Sequence, residues 1–80
     1  MFKLGKALAY FREKTGFTQE ELARATGLKQ PTICAIERDP RRSPTLRTIE
    51  KLLFPMNISL SEFFSYDGLN DLEKFATSEE

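Results

Sequence analysis

The eighty residues contain no His, no Trp and a single Cys, Cys34. That composition excludes a disulfide framework, a Cys/His zinc site and His-based nucleophilic catalysis. No paired carboxylates fall where a cleft for general acid–base work would need them, so an enzyme is the poorest reading. What remains is the chemistry of charge and hydrogen bonding. Lys29, Arg38, Arg41, Arg42 and Arg47 stand close together in the chain, opposed between Lys29 and Arg47 only by Glu37 and Asp39. Such an asymmetry suits either an edge that faces phosphates or a solvated basic loop. The formal neutrality of 12 basic and 12 acidic residues conceals two opposed segments. Residues 1–66 hold eleven Lys/Arg and seven Asp/Glu, net +4, while 67–80 hold Lys74 against Asp67, Asp71, Glu73, Glu79 and Glu80, net −4.

These groups need a scaffold, and 80 residues with 40% hydrophobic content make one small domain. A chain of this size buries only about 60% of the surface its unfolded form exposes, which places function on an outer face. Leu4, Leu8, Phe11 and Thr15 recur at helical spacing with Ala7 alongside, closed by Gly16 as a C-terminal glycine able to take positive φ. Thr18-Gln19-Glu20-Glu21 is a capping box, stapled by Phe17 and Leu22, that starts a second helix at Gln19 and carries it to Thr26 and Gly27. Only Leu28 and Lys29 then precede a third helix, which turns Ile33 and Ile36 inward and ends near Arg38, because Asp39 before Pro40 is pushed out of the α region. Thr45 caps a fourth helix with the apolar stripe Leu46, Ile49, Leu52 and Leu53; Pro55 is expected to kink or end it, leaving it short, with Asn57 taking the left-handed cap. Ser59-Leu60-Ser61-Glu62 is a second capping box, stapled by Ile58 and Phe63, for a fifth helix from Leu60 toward Tyr66. Leu69, Leu72, Phe75 and Ala76 read as a short sixth helix in an acidic background, and Glu79-Glu80 as a disordered end. No segment alternates with period two, so the expectation is an all-α fold. The longest apolar run, Leu52-Leu53-Phe54, is far too short to span a membrane, and no signal sequence is read, so a soluble, cytoplasmic chain is expected.

Between Phe17 and Arg38 a short capped helix, a glycine turn and a second helix follow in the order that a DNA-binding helix-turn-helix demands. Through Thr18-Gln19-Glu20-Glu21-Leu22-Ala23, Gly27, Thr32-Ile33, Ile36-Glu37-Arg38, Pro44-Thr45-Leu46 and Ile58-Ser59-Leu60-Ser61-Glu62-Phe63-Phe64, the chain resembles the phage repressor and Cro type of regulator, the xenobiotic-response-element-like family. The likeness spans roughly residues 4 to 64 without a gap. It implies a five-helix, lambda-repressor-like domain over 1–66, followed by the acidic segment 67–80.

The resemblance also implies roles. The third helix of such proteins enters the major groove with its first residues facing base edges. Gln30 holds that leading position, and its amide matches the N6 donor and N7 acceptor of adenine. Helical spacing from Gln30 brings Cys34 and Arg38 to the same face, with Pro31 and Ala35 beside them. Ala35 stands where a thymine methyl contact occurs in the family, or is there only because it is small. Gln19 matches a position that contacts a phosphate and braces the reading glutamine. Lys29, Thr32, Arg38, Arg41 and Arg42 are the further phosphate candidates, Thr32 alternatively supporting the turn and Arg42 alternatively entering the minor groove. Arg12 and Glu37 match positions that form a partly buried ion pair joining the first helix to the end of the third. Pro31 and Lys29 depart from the family pattern: the proline disfavours α conformation at Gln30, so the third helix is expected to begin one residue later, and the lysine replaces the usual Ser or Thr cap.

The expected partner is double-stranded DNA with an inverted-repeat operator, bound by a homodimer, without cofactor, metal or membrane. Localisation is then cytoplasmic and nucleoid-associated. The candidate dimer surfaces are Phe63, Phe64 and Tyr66, with Phe63 assigned to the core, and the Leu69, Leu72 and Phe75 stripe, which packs either across a dimer or on its own domain. The rival function is an antitoxin-type interaction module that docks a toxin through the segment 67–80 and regulates its own promoter.

Overall fold

The computed structural model describes residues 3–66, and the described chain forms five helices and no strand: α1 (Leu4–Lys14), α2 (Gln19–Thr26), α3 (Gln30–Arg38), α4 (Leu46–Met56) and α5 (Leu60–Phe64). The sixth helix and the disordered end expected within 67–80 lie outside the described residues. Local chemistry sets the helix ends. The Thr18 hydroxyl accepts the Glu21 amide at 3.0 Å and Glu21 Oε1 accepts the Thr18 amide at 2.9 Å, a complete capping box. These bonds, the Thr18 backbone N–H first, hold the Glu21 carboxyl below the usual carboxylate range. Thr45 caps α4 by accepting from the Thr48 amide. Ser59 does the same for the Glu62 amide, with only this half of the second box formed. Gly16 (φ 86°), Gly27 (φ 78°) and Asn57 (φ 58°) take the left-handed conformation that ends α1, α2 and α4.

Three expectations are corrected. Pro55 does not cut α4 short: the helix runs 11 residues, through the proline to Met56. The missing Pro55 amide deprives only the carbonyl of Lys51, an exposed residue, and the amides of Asn57 and Ile58 close the last turn on Phe54 and Leu53. Leu46 is 55% exposed and leaves the apolar stripe; at the first position of α4 it lies beyond the helices that cover Ile49, Leu52, Leu53 and Met56. Helix α5 stops at Phe64, and Tyr66 is buried, its ring 5.2 Å from that of Tyr10 and 6.3 Å from that of Phe11. Tyr66 therefore belongs to the core, where the sequence placed it among the dimer candidates.

The core joins Leu8 and Phe11 of α1, Leu22 of α2, Ile33 and Ile36 of α3, Leu52 and Leu53 of α4 and Phe63 of α5. Helix α3 packs on α1 and α2, α2 on α4, and α5 on α1 and α4. One crossing is unusually tight. A Cβ on Gly5 would lie 2.5 Å from the Ile36 carbonyl oxygen and 2.7 Å from that of Glu37, so α1 crosses the end of α3 backbone to backbone.

Candidate nucleic-acid interface

Helix α3 buries Ile33 and Ile36 and turns Gln30, Pro31 and Arg38 to solvent. Thr32, Cys34 and Ala35 are half-buried, so these small side chains offer only part of their surface outward. Gln30 is the first helical residue, not a residue outside the helix as the following proline led us to expect. The Thr32 and Ile33 amides both bond to the Lys29 carbonyl, which offsets the proline's bias, and Pro31 stands in the first turn, where an amide has no intrahelical partner in any case. Lys29 is the N-cap and its side chain makes no capping bond. The positive end of α3 is thus met by an exposed lysine and no acid of its own first turn, an arrangement favourable to an anion.

A part-buried polar cluster fixes the end of this helix. Arg12 Nε donates to Glu37 Oε2 at 2.6 Å and Arg12 Nη2 to Glu37 Oε1 at 3.2 Å, a two-pronged pair with side chains only 12% and 7% exposed. Arg12 Nη1 also donates to the Phe17 carbonyl at 2.8 Å, tying α1 to the entry of α2. The bond that Arg12 donates to Glu37 is the main reason the guanidinium holds its proton more firmly than usual, against the opposing cost of burial. Gln19 Nε2 donates to Glu37 Oε1 at 2.9 Å. The side-chain bond of Gln19 is thus to Glu37 at the far end of α3, whose carboxylate offers a full negative charge in a part-buried setting, and not to Gln30.

Beyond α3 the loop keeps its cations outward. Asp39 Oδ1 accepts the Arg41 amide at 2.9 Å, a local turn, and its 3.5 Å contact to Arg41 Nε leaves that side chain 92% exposed. An ion pair this open contributes little. Arg38, Arg41 and Arg42 are all exposed around the end of α3. Lys29, Gln30, Pro31 and Arg38 of α3 and its cap, and Arg41 and Arg42 of the loop that follows, are thus all exposed, while Gln19 is half-buried and bonded to Glu37. Sequence reasoning did not find Lys3 and Lys6, which share a cleft with Arg38 and Arg42; the one available signal was a glycine, Gly5, inside a helical pattern.

Residues 8–63 match the helix-turn-helix domain family, and that stretch covers the capped α2, the Gly27 turn and α3. The chain belongs to the helix-turn-helix family. Among curated helix-turn-helix relatives, it is 43% identical over 61 residues to the HTH-type transcriptional regulator PuuR of Escherichia coli K12, covering 76% of this chain and 32% of PuuR. It is 37% identical over 59 residues to the antitoxin HipB of the same strain, covering 74% of this chain and 66% of HipB. The chain thus spans about a third of the length of PuuR. Among solved structures, the restriction-modification controller protein C.Esp1396I, bound to a 25 base pair operator site, superposes with a TM-score of 0.70 at 30% identity over 79% of this chain and 82% of the other. The five-helix architecture expected of a phage repressor and Cro type domain is the one this helix-turn-helix chain adopts.

Proposed function

We propose that the chain is a sequence-specific binder of double-stranded DNA that regulates transcription, acting as a homodimer with α3 in the major groove of each half-site. The observation that carries this reading is the outward face of α3 inside a helix-turn-helix, with Gln30 leading it, Lys29 at its positive end and Arg38, Arg41 and Arg42 flanking it. Gln30 reads an adenine edge with Pro31, Cys34 and Ala35 shaping the contact surface, while Gln19, Lys29, Thr32, Arg38, Arg41 and Arg42 meet phosphates. That the operator-bound controller C.Esp1396I shares the fold supports the DNA partner. For the second copy, α4 offers the most exposed large apolar side chain among the described residues, Phe54 at 87%, with Leu46 eight residues earlier on the same helix. Such a pair is costly to leave in water and suits a symmetric contact.

Selecting bound sequences from a random duplex pool tests the proposal, with enrichment of a short inverted repeat as the expected outcome. On that repeat, Gln30→Ala should lose about 1–3 kcal/mol of discrimination at one base pair per half-site. Arg41→Ala should weaken specific and random duplexes alike and reduce the salt slope by about one unit. Equal losses for both variants on both duplexes would defeat this assignment. The similarity to HipB keeps an antitoxin reading in view; it requires a toxin partner, and removal of residues 67–80 would then abolish neutralisation while leaving the fold intact.

A further inference from the structure

A cleft of about 660 Å³ opens between the start of α1 and the end of α3 with its following loop. Half-buried Leu4 gives its floor apolar surface, and the exposed Lys3, Lys6, Arg38 and Arg42 form its rim. Two carboxylates also line it, but both are engaged: Glu37 accepts from Arg12 and Gln19, and Asp39 accepts from the Arg41 amide. Among the described residues none of the four rim cations has an ion-pair partner. We propose that the acidic segment 67–80 of this same chain docks in this cleft.

Three observations select that occupant. First, charge: the segment carries net −4 and the body that holds the cleft net +4. Second, apolar match: Leu69, Leu72 and Phe75 alternate with the segment's acids, so it can cover the floor and the rim together. A phosphate backbone would satisfy the rim and leave the floor in water. Third, the exit point: Tyr66 lies on Tyr10, Lys6 precedes Tyr10 by four residues on the same face of α1, and Lys3, the N-cap of that helix, by seven. At 1.5 Å per residue those lysines begin about 6 Å and about 10 Å along the helix from the ring on which the segment leaves. Fourteen residues reach at most about 50 Å when extended, so length is no obstacle, and tethering gives an effective concentration on the order of millimolar.

Arg38 and Arg42 belong both to this cleft and to the phosphate contacts proposed above, so a docked segment competes with DNA; that consequence, though not the docking, rests on the DNA reading. The test uses the full chain with Cys34→Ser and a nitroxide on Ser78→Cys, reading relaxation enhancement at backbone amides. Docking predicts strong broadening of Lys6 and of residues 38–43 at low salt. The broadening should fade near 1 M salt, where the Debye length falls to about 3 Å, and vanish with Lys3→Glu/Lys6→Glu. Broadening that ignores both changes, that centres on Phe54, or that appears only between labelled and isotope-enriched copies overturns the proposal. Neutralising the segment's acids with Asn and Gln should tighten random-duplex binding roughly 3- to 10-fold; unchanged binding would refute the competition. If neither protein binds duplex, the DNA reading falls while the nitroxide result still decides the docking.

Discussion

Glu37 is the residue that anchors the end of α3, because its carboxylate accepts from two nitrogens of Arg12 and from Gln19 while only 7% of the side chain is exposed. A buried charge in this position stabilises only as long as its partners remain. Arg12→Ala should therefore cost about 3–5 kcal/mol, toward the lower end because Gln19 still donates to the stranded carboxylate. Replacing both charges, as in Arg12→Met/Glu37→Leu, should recover most of that loss. Thermal melts of the three proteins check this, at roughly 4–8 °C per kcal/mol for a domain of this size; an Arg12→Ala protein that melts with the parent would refute it. The resemblance pointed to this pair because Arg12 and Glu37 stand at matching positions of the family pattern. It could not have placed Gln19, whose amide is free to follow any nearby acceptor until three helices fix where the acceptors are.

At the scale of elements, the helix ends were legible and the crossings were not. Thr18, Thr45 and Ser59 cap the helices that their positions announce, since a cap is an exchange between residues three apart and needs nothing from the rest of the chain. Pro55 misled for the complementary reason: its rule describes an isolated helix, and the packing of Leu52, Leu53 and Met56 carries α4 past it. Gly5 belongs with the crossings. On an exposed helix surface Gly→Ala would gain about 1 kcal/mol of helix propensity. Here the new methyl would meet backbone oxygens at 2.5 and 2.7 Å, which cannot swing aside as side chains do. Gly5→Ala should thus destabilise by about 1–3 kcal/mol through forced separation of α1 from α3. A denaturant titration showing a more stable variant would contradict the close crossing.

For the whole molecule, the described domain leaves Phe54 87% exposed while burying Tyr66. Tyr66 thus leaves the dimer candidates, Phe64 stays among them at 45% exposure, the Leu69, Leu72 and Phe75 stripe lies outside the described residues, and Phe54 on α4 joins them. Phe54→Glu should leave the folded domain unperturbed and weaken self-association by about 30-fold, as expected for an aromatic anchor worth about 2 kcal/mol. Sedimentation across a concentration series, with circular dichroism as the control for folding, reads this directly. A weaker dimer should also lose operator affinity while random-duplex binding per monomer stays the same. Self-association equal to that of the parent would move the dimer face away from α4.

The chain order of capped helix, glycine turn and second helix, with its basic residues bunched after Lys29, was readable in the amino acids themselves. Caps, turns and periodicity are governed by neighbours within four residues, and the helix-turn-helix is built almost wholly from such neighbours. Tertiary packing alone decided which polar partner Gln19 takes, that Tyr66 turns inward onto α1, and that lysines from the start of the chain stand beside Arg38 and Arg42 around one cleft. Each of these depends on how far apart two distant backbones come to rest, a distance that the packing of side chains across the core determines and no local pattern encodes.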